Sequence, residues 1–432
     1  MKAKAGLLVA CALGLSAAAS SAAAQVDTVA EDGFSPVKNL MHGINSTMRL
    51  SCAHPFEQPD DASVACGGVM QIQASPVISE NIDSKIEARA SDLDVERSGR
   101  TYNDVIEAWL AFHFEKADLR IGRQIVAWGR ADGINPTDNL TPRDMTIWLP
   151  FEDDQRLGTA GLKFDAFLSN ELTLTTWVTP YFSPSKTLQP RSANHINEVM
   201  PEREIANTTV AMRLNRTGGG FDWSVSAFRG FNLLPSYRVS GFNALGPQLE
   251  KRYGRLDVFG GDIARNFGRY AMRAELAYMH PGPSGNAPFD EIRPSIYYVV
   301  GGDRTFENQL NINLQVFGRH VFGFSPAGRG DSSLQRNIEI QNAITHSQLD
   351  RSSYGFTMRI SKKWLQETLE SDVLTVINIT RWNSYQRLML SYAFNDRMKG
   401  TIGFINYNGD AQTIFGRVKR NGRVFVEVRY AF

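Results

Sequence analysis

Past residue 80 the chain alternates apolar and polar residues for about ten positions, breaks at a turn-rich link and resumes, repeatedly, to its last residue. In the first such stretch Ile82, Ile86, Ala88 and Ala90 share one face, and Asp83, Lys85, Glu87 and Arg89 the other. Leu310, Ile312, Leu314 and Val316 repeat the pattern against Asn311, Asn313 and Gln315, as do Leu388, Leu390, Tyr392 and Phe394 against Arg387 and Ser391. A side-chain period of two is a strand with one apolar and one wetted face. A soluble sandwich also alternates, but one domain of this length seldom sustains so many long strands without helices. Nothing beyond the amino-terminal region approaches the roughly 18 consecutive apolar residues of a membrane helix, so helical spans are excluded. Backbone groups in lipid must be satisfied within the structure, which leaves an all-β, closed transmembrane antiparallel barrel.

Sixteen strands are expected, near 82–95, 102–116, 118–127, 157–168, 171–181, 206–216, 221–231, 255–266, 269–280, 294–303, 308–319, 353–362, 372–381, 385–395, 398–407 and 422–432. An additional hairpin at 43–51 and 67–74 raises the count to eighteen, which is favoured; both are even, as closure of a bacterial barrel prefers. Such barrels pair short periplasmic turns with longer outer loops. The tight links 114–118, 168–171, 217–220, 266–268 and 395–397 fall at one end, and the long links 128–156, 182–205, 232–254, 281–293, 320–352 and 408–421 at the other. That parity places both mature termini in the periplasm.

Lys2 and Lys4 precede an apolar run over 5–15 and small residues ending in Ala22-Ala23-Ala24. This is the pattern of a secretory signal peptide over 1–24, leaving a mature barrel chain 25–432. The chain carries 46 Lys+Arg against 45 Asp+Glu; without Lys2 and Lys4 the balance is 44 to 45, which argues against a nucleic-acid partner. Cys11 leaves with the signal. Cys52 and Cys66 remain at the tip of the first hairpin, where an oxidising compartment favours a disulfide. Their spacing fits neither a zinc knuckle nor a redox Cys-x-x-Cys, so no metal and no cofactor is assigned.

The last strand alternates Val424, Val426, Val428, Tyr430 and Phe432 against Phe425, Glu427, Arg429 and Ala431. It resembles the β-signal that the barrel-assembly machinery reads in outer-membrane proteins, with Tyr430 and Phe432 as the aromatic signal residues. The resemblance implies a bacterial outer-membrane location with lipid against the outer face. A second likeness lies at Ile121-Gly122-Arg123-Gln124-Ile125-Val126-Ala127-Trp128-Gly129, followed by Gly133-Ile134-Asn135-Pro136-Thr137-Asp138. This segment resembles the Gly-Arg-Gln…Trp-Gly…Asn-Pro segment of a porin-like family of unknown function, domain of unknown function 1302, allied to alginate-export and porin-type channels. The likeness is confined to that segment. It implies outer-membrane transport, often of hydrophobic or aromatic carbon sources, and transfers no ligand residue.

Sixteen or more strands leave an aqueous lumen, whereas eight are filled by side chains. The expectation is a passive channel for small solutes and not an enzyme: Gly-x-Ser-x-Gly and His-Glu-x-x-His are missing from the sequence. The alternatives are a plugged structural or adhesive barrel, for which the loop 320–352 with Ile338, Ile340 and Ile344 is the candidate plug, and an outer-membrane hydrolase. Oligomerisation is compatible with the pattern and not specified by it. The link 128–156, rich in Gly, Pro and Asn, is the third outer loop and the candidate constriction. Folded inward, it sets Arg130, Asp132, Asp138, Arg143 and Asp144 across the pore in a transverse field; the alternative is a surface lid closed by its own ion pairs. Strict alternation sends Arg123 into lipid at a cost of roughly 2–4 kcal/mol, so a bulge at Gly122 is expected to turn Arg123 inward and set it, with Gln124, at the root of the loop. Lys85, Arg89, Arg120, Lys163, Arg213, Arg273, Arg359 and Arg387 are read as lining the lumen, favouring anions unless they pair across strands. His113 is read as a satisfied wall histidine.

Overall fold

The computed structural model describes residues 43–56, 64–92, 102–147, 152–187, 196–244, 246–282 and 292–432, so the expected signal peptide lies outside the described residues. In chain order the strands are β1 (Ile44–Pro55), β2 (Ala65–Ala74), β3 (Val77–Ser79), β4 (Ile82–Ser91), β5 (Tyr102–Phe114), β6 (Ala117–Gln124), β7 (Thr159–Phe167), β8 (Leu172–Thr179), β9 (Ile196–Val199), β10 (Thr209–Arg216), β11 (Phe221–Phe231), β12 (Ser236–Asn243), β13 (Gly246–Arg252), β14 (Arg255–Phe267), β15 (Tyr270–Pro281), β16 (Ser295–Thr305), β17 (Leu310–Val321), β18 (Ser352–Trp364), β19 (Leu369–Asn378), β20 (Asn383–Ala393), β21 (Met398–Asn408) and β22 (Arg423–Ala431). Leaving aside the three-residue β3 and the outlying β9, β12 and β13, these make an eighteen-stranded antiparallel barrel. It is closed where β22 pairs with β1, Ala431 opposite Thr47 and Arg423 opposite Pro55. The hairpin of β1 and β2 is therefore part of the wall, and Cys52 and Cys66, opposite each other in its ladder, form a disulfide.

The wall is inverted relative to a soluble protein. Ile86, Val300, Leu314, Val316, Leu388, Ile402 and Val426 are exposed on the outside, while Glu87, Arg89, Asp262, Glu275, Gln315, Asp372 and Glu427 are buried within. That distribution suits a lipid solvent, because exposed leucines are unfavourable in water and buried charges are tolerated only when paired. The last strand follows it, with Val424, Val426, Val428 and Tyr430 outward and Phe425 and Glu427 inward. At the short-turn end Tyr392–Phe394 and Tyr430–Phe432 form edge-to-face ring pairs, the arrangement of an interfacial aromatic girdle.

The outer loops carry structure that alternation did not predict. β12 and β13 form a hairpin, β9 adds in parallel to β13, and the helix Ser333–Thr345 packs on β12. Tyr237, Leu249 and Ile338 form a small core between them, and Ile344 is also buried. The helix begins with a capping box in which Ser332 and Gln335 satisfy each other's backbone N–H. Asn342 fixes it to β12, accepting from the Tyr237 N–H and donating to the Tyr237 carbonyl, both at 2.8 Å. Loops of this length leave the support of the barrel and need a core of their own, which the sequence places in three separate segments.

Candidate functional site

The paths of residues 125–147 and 152–158 define the lumen. Ladder pairing of β6 stops at Gln124, and the next N–H, on Ile125, donates to the Glu107 carboxylate at 3.0 Å as the chain turns inward. Val126, Trp128 and Leu140 then bury against Trp177, Ala211, Phe228, Leu256, Val258 and Ala277, which belong to β8, β10, β11, β14 and β15. The inner wall of those strands is apolar where the loop lies on it, so burial of Trp128 and its neighbours holds the loop inside the barrel.

Polar latches complete the docking. At Gly129 the backbone has φ 98°, and a Cβ there would stand 2.8 Å from the Glu275 carboxylate, so both conformation and space require glycine. Glu275, 2% exposed, accepts the N–H of Arg130, the N–H of Ala131 at 2.5 Å and the Thr137 hydroxyl at 3.1 Å. The Arg130 guanidinium donates to Asp262 at 2.5 Å and to Asn215 at 2.6 Å. Asp132 accepts from Asn313 at 3.2 Å and lies 3.7 Å from Arg359, while Gln315 donates to its carbonyl at 2.8 Å. The returning limb reaches the opposite wall, where Asp154 pairs with Arg49 at 2.7 Å and its carbonyl accepts from Arg89 at 2.6 Å. The segment thus crosses the lumen from β14–β18 to β1 and β4. Between these anchors Asp138 lies buried 3.8 Å from Arg143 and 3.9 Å from Arg156; burial pushes its carboxyl up against the pull of the two cations. Asp144 pairs with Lys186 at 3.2 Å.

The loop leaves open an off-centre cavity of about 670 Å³, lined by β1, β2, β4, β5 and β18–β22 and, from the loop itself, by Ile125, Asp154 and Arg156. Its basic residues are Arg49, Lys85, Arg89, Arg156, Arg359, Lys399 and Arg429; its acids are Glu87, Glu107, Asp154, Glu370, Asp372 and Glu427. Most of these neutralise one another: Arg49 with Asp154 at 2.7 Å, Lys85 with Glu87 at 2.9 Å, Arg359 with Asp372 at 2.6 Å and Lys399 with Glu370 at 3.4 Å. A smaller cavity of about 200 Å³ lies between the loop and the outer helix, lined by Asp138, Arg143, Arg319 and His346 among others.

Several expectations need correction. The ladder through Gly122 runs in register on both sides, so the bulge expected there is absent. Arg123 lies opposite Ala108 near the end of β6 and meets Asp104 at 3.2 Å, an acid that stands opposite the inward Arg89 in the neighbouring ladder. The irregularity lies instead on β5, where Glu107 and Val105 oppose consecutive residues of β4 and Ile106 is extra. Gly122, at φ 132°, has no room for a Cβ, which would fall 2.3 Å from the Ala108 carbonyl oxygen. Gln124 is buried in the wall and donates to the Gly161 carbonyl at 3.3 Å. Arg130 and Asp132 anchor the loop on the wall, whereas Asp138 pairs with Arg143 and Arg156 of the same loop and Asp144 with Lys186; none of the five lines the larger cavity. The arginine ladder is also largely paired: Lys163 meets Asp165 at 2.6 Å, Arg213 meets Asp262 at 3.0 Å, Arg273 meets Asp303, and Arg89 lies 3.9 Å from Glu87. Arg120 stacks on Trp109, 4.0 Å from the ring centre. His113 stands between Asp118 at 2.8 Å and Asp83 at 2.9 Å. Among the described residues no group of three or more His, Cys, Asp or Glu is placed to hold a metal ion. The sequence reading gave no role to Arg49, Asp154 and Arg156; the charge-rich run at 152–156 was the available signal for the last two.

No family model matches the chain, and no curated protein matches it in sequence. Solved structures do. The chain is similar to Acinetobacter baumannii OccAB3, with a TM-score of 0.54 at 10% identity, covering 90% of this chain and 98% of that one. It is similar to Acinetobacter baumannii OccAB4, with 0.53 at 12%, covering 90% and 98%, and to the outer membrane protein opdK from Pseudomonas aeruginosa, with 0.52 at 10%, covering 90% and 99%. At such identities the likeness is one of fold alone, a closed antiparallel β-barrel.

Proposed function

We propose that the mature chain is a bacterial outer-membrane channel through which small solutes diffuse passively, with the segment 128–156 as its constriction. The carrying observation is the docked loop itself: it is fastened on opposite walls of the barrel and leaves a charge-lined cavity beside it. In this reading the signal peptide over 1–24 is removed, the short turns and both mature termini lie in the periplasm, and Tyr430 and Phe432 serve recognition by the barrel-assembly machinery. Because most of the cavity's charges are paired, ion preference is weak and leans to anions through the slight excess of basic over acidic lining residues. Organic carbon sources, the cargo suggested by the likeness at 121–138 to the family of unknown function, fit the size of such a passage. Single-channel conductance of the refolded protein in a planar bilayer tests the proposal. Discrete steps, with a reversal potential shifted slightly toward anions in a salt gradient, are expected; a correctly folded but silent barrel would overturn it. The plugged reading draws on one observation, the helix Ser333–Thr345 held over the mouth by Tyr237 and Asn342. Deletion of 326–347 separates the two, since only a plugged barrel would turn from silent to conducting.

A further inference from the structure

Near the short-turn end, on the outer face, three cations repeat one local pattern. On β14 Arg265 stands 5.0 Å from the ring centre of Phe267, on β16 Arg304 stands 4.4 Å from that of Phe306, and on β18 Lys362 stands 3.9 Å from that of Trp364. Arg304 also lies 5.0 Å from the Tyr270 ring and donates to its hydroxyl at 2.7 Å. All three share the row of exposed apolar residues on their strands, represented by Ile263, Val300 and Tyr354, so they point outward and not into the lumen. Each strand runs toward the short turns, which puts each cation one pleat closer to mid-barrel than its aromatic partner. The charge therefore lies at the edge of the apolar belt, with its stem along the belt and its head folded down over a girdle ring.

Neighbouring cations in the turns behave differently. Arg269 pairs with Glu307 at 3.2 Å and Lys363 with Glu367 at 2.7 Å, whereas among the described residues Arg265, Arg304 and Lys362 have no carboxylate partner. Rings attract these cations without neutralising them. An outward side chain at this level of a membrane barrel meets lipid headgroups, whose anionic group is phosphate. Alternate strands are about 10 Å apart, so the three cations form a row that adjacent headgroups would occupy together.

We propose that the outer face of β14–β18 at the short-turn end is a binding surface for anionic phospholipid, with Arg265, Arg304 and Lys362 holding headgroup phosphates of the inner leaflet. This rests on the reading of the chain as an outer-membrane barrel. The test is native mass spectrometry of the folded full-length protein released from detergent with equal amounts of phosphatidylglycerol and phosphatidylcholine. The wild type is expected to retain phosphatidylglycerol with a preference of about tenfold, three surface cations acting together against screening. R265Q/R304Q/K362Q should bring the ratio near one while keeping the heat-modifiable gel migration of a folded barrel, and R265K/R304K should keep the preference. Should the triple variant not fold, each single substitution is expected to lower the ratio. A wild type without preference, or substitutions that leave the ratio intact, would overturn the proposal. So would loss of the bound lipid to millimolar inorganic phosphate, which would mark a site for free anions. A protein that enters no bilayer overturns the membrane reading itself, whereas one that reconstitutes and ignores lipid charge overturns this inference alone.

Discussion

Replacing Glu275 by alanine should release the constriction without unfolding the barrel. The carboxylate is nearly inaccessible and takes three donors from the loop: two successive N–H groups, of Arg130 and Ala131, and the Thr137 hydroxyl. Removing it strands those donors against an apolar wall. A buried donor left without a partner costs about 1–3 kcal/mol, and hydrogen bonds to a charged acceptor lie at the upper end. The docked loop should therefore lose about 3–6 kcal/mol relative to a detached one. The wall loses far less, because Glu275 lies in a regular ladder whose backbone bonds do not involve its side chain. Since 1.4 kcal/mol is a factor of ten, such a shift raises the detached population roughly a hundredfold or more. Arg130 on Asp262 and Trp128 in its apolar seat still oppose release, so the variant is expected to flicker between states. Planar-bilayer recordings should show E275A with larger mean conductance and greater open-channel noise than wild type, with E275Q between them because one acceptor oxygen survives. E370Q, which alters a cavity charge paired with Lys399, should leave the noise unchanged. Wild-type conductance and noise in a folded E275A barrel would refute the latch.

Trp128→Ala should cost loop docking about 3–5 kcal/mol through lost burial, and protease should then cut within 128–156 while the strands stay intact; resistance equal to wild type would contradict the role of the apolar seat. The outer cap should loosen in acid. His346 is buried against Ser236 at 3.0 Å and beside Arg319, and burial lowers its pKa from 6.5 to about 4. Its neutral form is favoured when the cap is docked, so the stability is fully present above about pH 6.5 and is lost as pH falls toward 4, reaching about 3 kcal/mol. Hydrogen exchange of 333–345 followed from pH 7 to 4 should speed up over that window, and in H346Q it should not. Reducing the Cys52–Cys66 disulfide removes about 3 kcal/mol of loop closure and should expose the hairpin tip to protease while the barrel persists, which gel migration of the cut and uncut forms can follow.

The barrel was legible because its signal is repeated. Eighteen strands share one alternation and one parity of short and long links, so a misjudged end does not move the count, and the disulfide followed from a lone pair of cysteines facing each other across a hairpin. The cap was not legible. Its core joins Ile196, Tyr237, Leu249 and Ile338 from three loops, and none of those loops is periodic enough alone to declare a partner. The small helix did carry a sign in Ser332 and Gln335, a capping pair ahead of Ile338. The failed bulge at Gly122 is informative in another way. A glycine between Ile121 and Arg123 was read as freedom to shift register, when it is there because β5 passes too close for any Cβ.

The same ambiguity governs the charges of the loop. Arg130, Asp132, Asp138, Arg143 and Asp144 have the composition of a selective constriction, but five charges in a segment entering a barrel can either face the solute or face the wall. Which they do depends on whether the wall opposite offers complementary groups. Here it does: Asp262, Glu275, Asn313 and Gln315 all sit on inward positions of β14, β15 and β17, far away in sequence. None of those five charges lines the larger cavity, whereas Arg156 and Asp154, themselves paired with Asp138 and Arg49, stand on its lining. Selectivity should then respond to the returning limb more than to the leading one. R156Q is expected to reduce the anion lean in reversal potential while leaving channel noise near wild type, and R130Q to raise noise while leaving reversal potential near wild type. The opposite assignment of effects would return selectivity to the leading limb and reduce the returning limb to an anchor.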